Sequence, residues 1–216
     1  MTEPTAPVLV CFALPGEARP FLKGAPKSTS SRVIITGMGR RNTERALAAA
    51  LRESKPAFVL TCGLAGGLDP ALVLNTVLFE TADAALAARL SSVGLRAARF
   101  HCTSRMAVTA AEKAALRRET GADAVEMESG CVHGLCRQQG VPCATVRVIS
   151  DIADENLPLD FNALTTPEMK MDFGKLALAL AKSPGRIPSL LRLQRQTATA
   201  ANALAEALAG IVDGMN

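Results

Sequence analysis

Asp123-Ala124-Val125-Glu126-Met127-Glu128-Ser129 and Val146-Arg147-Val148-Ile149-Ser150-Asp151-Ile152-Ala153-Asp154 are the two stretches on which the reading of this chain turns. Each sets carboxylates at the end of an apolar, β-branched run, where the backbone is expected to leave a buried strand. Between Glu128 and Asp151 lie a helical stretch at about 128–139, closed by Gly140 and Pro142, and a second strand at 143–149. A strand-helix-strand unit can bring both acids to one edge of a sheet. Two carboxylates in one cleft can be given different protonation states by different surroundings, and so different tasks. The pair is the candidate active site.

Outward from this unit the same alternation continues. Strand-like runs occupy 8–14, 32–36, 57–62, 76–80 and 143–149. One helical stretch follows Asn42, a candidate N-cap, with Ala46, Leu47, Ala50 and Leu51 on one face before Pro56. Another opens at a capping box, Thr109 to Glu112, and runs to Gly121. Such alternation predicts an α/β fold around a largely buried sheet. The tail changes character: 162–172 is polar and turn-rich, and helical stretches are expected at 173–181 and 187–208. The chain is read as one domain, 1–216, with 162–216 a helical C-terminal extension of it. The bland role for the last helix is packing; its arginines also allow a basic face against a membrane surface.

Composition narrows the function classes. Hydrophobic residues make up 49% of the chain but aromatics only 3%, with no Trp or Tyr, so the core must be aliphatic. That lack argues against stacking nucleic-acid bases on aromatic side chains, and a net charge of +4 does not call for a nucleic-acid partner. The six cysteines sit mostly in apolar runs, where a thiol behaves as a small hydrophobe. The N-terminal apolar run reads as a strand rather than a signal peptide, and no run approaches the roughly 18 apolar residues of a membrane span. A cytoplasmic protein with reduced thiols is expected.

Five motifs in order also carry a family resemblance: Ala13-Leu14-Pro15-Gly16-Glu17, Gly37-Met38-Gly39, Gly63-Leu64-Ala65-Gly66-Gly67-Leu68-Asp69-Pro70, Met127-Glu128 and Ser150-Asp151. Together they resemble the nucleoside phosphorylase and nucleosidase superfamily, which includes the methylthioadenosine/S-adenosylhomocysteine nucleosidases. The likeness covers roughly residues 8–161. Residues 182–193, Lys-Ser-Pro-Gly-Arg-Ile-Pro-Ser-Leu-Leu-Arg-Leu, resemble the tail of the hopanoid-associated phosphorylase-like branch. The resemblance implies a mixed, twisted central sheet flanked by helices in three layers. It also implies cleavage of the N-glycosidic bond of a purine nucleoside without metal or organic cofactor, and a homodimer.

The residues can be matched to what that reaction needs. A strand-end acid such as Asp151, kept protonated by partial burial, suits donation to the leaving base. An ionised Glu128 suits two adjacent ribose hydroxyls, with the Met127 thioether packed on the sugar. Glu126 has the same strand parity, so it is either a second ribose contact or a structural ion-pair partner. Arg147, in the apolar run, needs a carboxylate and is expected to hold one of these acids in place. By the resemblance, Glu17 stands where nucleosidases carry the base that activates water. Arg19, Arg40 and Arg41 are the candidate phosphate ligands if the enzyme is instead a phosphorylase, with inorganic phosphate as co-substrate. Leu64 replaces the Ser or Thr that related enzymes use there, which disfavours phosphate and suggests an apolar group at the sugar's 5′ end. Ala65, Gly66, Arg105, Met106, Ser150 and Phe161 complete the candidate substrate contacts.

Two other readings are weaker. Gly37-Met38-Gly39 follows a strand and opens a helix, as a dinucleotide fingerprint does, but Asn42 stands in place of the last glycine. Cys131, His133 and Cys136 share one helix at offsets that do not share a face, so no metal site is assigned. The sequence therefore favours a hydrolytic nucleosidase, with phosphorolysis second and a nucleoside-binding protein without turnover third.

Overall fold

The computed structural model describes residues 6–24 and 31–213, so the ends of the 1–216 assignment lie outside the described residues. The elements run β1 (Val8–Phe12), α1 (Pro15–Gly24), β2 (Ser31–Ile35), α2 (Arg40–Glu53), β3 (Val59–Gly67), β4 (Val77–Glu80), α3 (Ala84–Ser92), β5 (Arg96–Ala97) and β6 (Phe100–Cys102). Then follow α4 (Ala110–Thr120), β7 (Ala124–Glu126), α5 (Ser129–Gln139), β8 (Cys143–Asp151), α6 (Phe173–Lys182), a 3-10 turn (Pro184–Arg186) and α7 (Ile187–Asp213). Among the described residues the strands form one eight-stranded sheet with the path β2-β1-β3-β8-β4-β5; β7 joins the far end of β3 and carries β6. Strand β4 runs antiparallel to β8 while β1, β2, β3 and β8 are parallel, so the sheet is mixed.

Period-two burial explains the layers. In β1, Val8, Val10 and Phe12 pack into one apolar cluster with α1, α3 and α7, while Leu9 and Cys11 pack into a second with α2 and α5. A strand covered on both faces reads as a continuous apolar run, as this one does. The tail helix is part of the main core. Ala200, Leu204, Leu208 and Ile211 of α7 are fully buried, where the helix packs on α1, β3 and β8. Full burial of Leu and Ile side chains such as Leu204, Leu208 and Ile211 contributes roughly 1.5–3 kcal/mol each, which holds the helix on the sheet.

Local signals were followed in some places and overridden in others. Thr109 and Glu112 close the capping box of α4, and Gly121 ends it in the left-handed region at φ 66°. Helix α2 begins at Arg40 behind Gly39, not at Asn42. The Asn42 amide instead donates to the Met38 and Glu168 carbonyls, at 2.9 and 3.0 Å. Strand β3 continues to Gly67, past the expected end at residue 62. Its glycines are strand residues because side chains press on them: a Cβ on Gly63 would lie 3.1 Å from Arg147 Nη1 and 3.3 Å from the Glu17 carboxylate.

Candidate active site

Strands β3, β7 and β8 bring the candidate residues together. Gly66 is the hinge of the arrangement: it pairs with Val125 on β7 and with Asp151 on β8, beyond a register shift between Ala65 and Gly66. A Cβ there would stand 3.2 Å from Asp151 Oδ2 and 3.3 Å from Val125 Cγ1. Glycine thus lets the Asp151 carboxylate lie against the neighbouring backbone. A cavity of about 690 Å³ opens at this edge of the sheet. Its lining includes Glu17, Leu64, Ala65, Gly66, Met106, Glu126, Met127, Glu128, Ser150, Asp151 and Phe161.

The carboxylates have distinct surroundings. Glu17, in the first turn of α1, accepts hydrogen bonds from the backbone N–H groups of Leu14 at 3.1 Å and Leu64 at 3.4 Å. Burial pushes its pKa above the ordinary value of 4.5, against the lowering effect of Arg147. Glu128 accepts from the Gly39 N–H at 3.0 Å and from Arg147 at 3.3 Å. Burial raises its pKa as well, with Arg147 opposing. Glu126 differs. It accepts from the Glu128 and Ser129 N–H groups, from Ser129 Oγ at 2.5 Å and from Arg147 at 2.7 Å. Burial alone would raise its pKa, but the Arg147 charge and these bonds hold it below the ordinary value. Its oxygens are thus committed to backbone, hydroxyl and guanidinium donors, although the residue also lines the cavity.

Asp151 lies in a setting that burial alone did not suggest. Lys113 of α4, fully buried, places Nζ 2.5 Å from Asp151 Oδ2 and donates also to the carbonyls of Ile152 at 2.7 Å and Glu155 at 2.9 Å. Ser150 Oγ donates to Asp151 Oδ1 at 2.9 Å. The acid therefore faces an ammonium counter-charge, where the sequence suggested only a partly buried carboxyl. Lys113 was missed because a lysine inside an amphipathic helix reads as part of the solvated face, and its spacing carries no motif.

Several candidates stand outside the cavity. Arg19, Arg40 and Arg41 do not line it. Arg40 is exposed and paired with Glu44 through Nε at 2.7 Å. Arg105 is paired with Glu112 at the start of α4 and does not line the cavity either. The cations that do are Arg45 and Lys170, both exposed and neither singled out from sequence. Met106 is held in the wall by Asn162, whose side chain accepts from its N–H at 2.8 Å and donates to its carbonyl at 3.0 Å. The polar acids share the cavity with an apolar wall that includes Leu14, Ile35, Leu157, Met169, Leu190 and Leu193.

The chain is thus a mixed sheet between helical layers, with acids gathered where β3, β7 and β8 meet, and known proteins share features with it. The model of the phosphorylase superfamily matches residues 77–182, a little under half of the chain. The aminodeoxyfutalosine nucleosidase of Helicobacter pylori is 49% identical over 45 residues, which is 21% of this chain and only 20% of that relative. Among solved structures, the futalosine hydrolase of Helicobacter pylori superposes with a TM-score of 0.73 at 19% identity, covering 97% of this chain and 98% of its own. The 5′-methylthioadenosine/S-adenosylhomocysteine nucleosidase of the same organism, bound to butyl-thio-DADMe-Immucillin-A, gives 0.74 at 19% identity, covering 98% and 100%. The corresponding nucleosidase of Neisseria meningitidis, with methylthio-immucillin-A, gives 0.72 at 19%, covering 97% and 99%. At that identity the likeness is one of fold, and it agrees with the superfamily resemblance read from the five motifs.

Proposed function

We propose that this chain hydrolyses the N-glycosidic bond of a purine nucleoside-like substrate. The observation that carries the reading is a single cavity whose lining gathers Glu17, Met127, Glu128 and Asp151. As the bond from the anomeric carbon to the base nitrogen breaks, positive charge grows on the sugar. Glu128 accepts hydrogen bonds from two ribose hydroxyls, and Met127 packs on the ring. A water gives its oxygen to the anomeric carbon and a proton to Glu17, while the departing base takes a proton through Asp151, which draws it from the Lys113 ammonium 2.5 Å away. The products are free sugar and neutral base, and the proton held by Glu17 returns through solvent to Lys113. Arg147 with Glu126 fixes the ribose side. Neither a metal nor an organic cofactor takes part.

The apolar wall around Leu64, Leu190 and Leu193 supports a substrate with a hydrophobic 5′ substituent. The position of Arg19, Arg40 and Arg41 outside the cavity favours water over phosphate. The second reading, phosphorolysis, would draw on Arg45 and Lys170 as anion ligands. A cytoplasmic homodimer remains the proposed setting. The test is product analysis with adenosine analogues: wild-type protein should release free base, and Asp151→Asn should do so about a hundredfold or more slowly while keeping its fold. Intact nucleoside after prolonged incubation with wild type would instead favour a binding or storage protein.

A further inference from the structure

Apart from the cavity, the largest concentration of exposed apolar side chains lies at the junction of α6 and α7. Phe173 and Leu178 are 76% and 56% exposed, and Ile187 and Leu191 are 42% and 49% exposed. Helix α6 has no buried residue. At helical spacing, Phe173, Ala177 and Ala181 form one exposed apolar stripe, with Leu178 beside it and Lys175 and Lys182 along its edge. The charge along these helices is mostly positive, with Asp172 at the N-cap of α6 and Glu155 3.8 Å from Arg192 as the acids beside it. From residue 173 to residue 205 the chain contains Lys175, Lys182, Arg186, Arg192 and Arg195 and no Asp or Glu. A helix of a soluble domain normally turns its apolar face inward and mixes both signs outside. Here the apolar face points out and cations predominate along its border.

We infer that α6 and the first turns of α7 form a docking surface for an anionic lipid bilayer. The bilayer is favoured over a protein partner because the patch combines a narrow apolar stripe with an excess of Lys and Arg, the pattern of a helix lying in the interface plane. Among the described residues no helix is long and apolar enough to cross a membrane, so the contact is peripheral. The surface is continuous with the cavity through α7: Leu191 is exposed, while its neighbours Leu190 and Leu193 line the cavity. A bilayer-bound molecule would thus sit one helix face away from a substrate in the site.

Flotation of the full chain with vesicles tests this without reading turnover, so its failure and the failure of the glycosidic reading are distinguishable. The protein should float with vesicles of equal parts phosphatidylglycerol and phosphatidylcholine, far less with phosphatidylcholine alone, and less as salt rises. Phe173→Ser with Leu178→Ser, and separately Lys175→Glu with Lys182→Glu, should each reduce the bound fraction about tenfold or more. Neither pair should change cleavage of a small soluble nucleoside, since none of the four residues lines the cavity. Equal binding to both lipid compositions, or none to either, overturns the inference. So does a dimer in sedimentation that the Phe173→Ser, Leu178→Ser protein cannot form, which would assign the face to a second copy.

Discussion

At the scale of single residues, three glutamates that look alike in sequence have different surroundings. Glu126 and Glu128 stand two apart in one motif, yet Arg147 and Ser129 occupy Glu126, while Glu128 keeps only the Gly39 N–H and a longer contact to Arg147. If Glu128 holds the ribose, Glu128→Gln should weaken turnover of ribonucleosides far more than of 2′-deoxyribonucleosides. Hydrogen bonds to a charged group contribute roughly 1.5–3 kcal/mol, so the difference should reach about tenfold or more. Equal losses on both sugars would remove the ribose role. Glu17 gives a prediction with a definite sign. Burial raises its folded pKa, so the folded state binds this proton more tightly than the unfolded chain does. The stability it lends is complete below the ordinary value of 4.5 and is lost as pH rises through the higher folded value. Glu17→Gln has no such loss, so its melting temperature should gain on that of wild type as pH rises through this window. Turnover should move oppositely, falling in acid above the usual carboxylate range as the base becomes protonated. A melting difference that is flat with pH would contradict the assignment of a raised pKa.

At the scale of elements, the sequence disclosed what local chemistry controls. The α4 capping box, the closing glycines of α4 and α5, and the apolar runs of β1 and β8 could all be read from neighbours a few residues apart. What stayed hidden depends on distant contacts. Strand β3 runs through Gly63, Gly66 and Gly67, which read locally as a loop, because their close contacts are distant in sequence: Arg147 and Glu17 at Gly63 and Asp151 at Gly66 lie so close that an added Cβ would push them aside. Helix α1 was not foreseen, since Pro20 lies within it. Candidate acids were legible because they end strands; their counterions were not, because Lys113 reaches Asp151 from another helix. That contact predicts its own energetics. Lys113→Met leaves a buried carboxylate without its partner and should cost about 3–5 kcal/mol of stability. Adding Asp151→Asn should recover much of that loss, because no unpaired charge then remains. Thermal unfolding of the single and double variants checks this. A single variant within about 1 kcal/mol of wild type would show that the ion pair does not hold the turn after β8.

At the scale of the whole molecule, one sheet edge supplies the acids while Leu14, Ile35, the 152–171 segment and α7 close an apolar wall around them. Under the proposed function the polar end takes a sugar and a base, and the wall exceeds what those need. Along a series of 5′-alkylthio adenosines the specificity constant should therefore rise, by up to about 0.8 kcal/mol per buried methylene. A flat series would mean that the wall serves packing alone. The central claim concerns the nucleophile. Glu17 beside the sugar pocket, Leu64 in place of a hydroxyl, and three candidate phosphate arginines outside the cavity all point to water. The direct measurement is base release in oxygen-18 water, with and without inorganic phosphate, followed by mass analysis of the sugar. The account predicts release at the same rate in both, with one labelled oxygen at the anomeric position of free sugar. Release that requires phosphate and yields an unlabelled sugar 1-phosphate would contradict it.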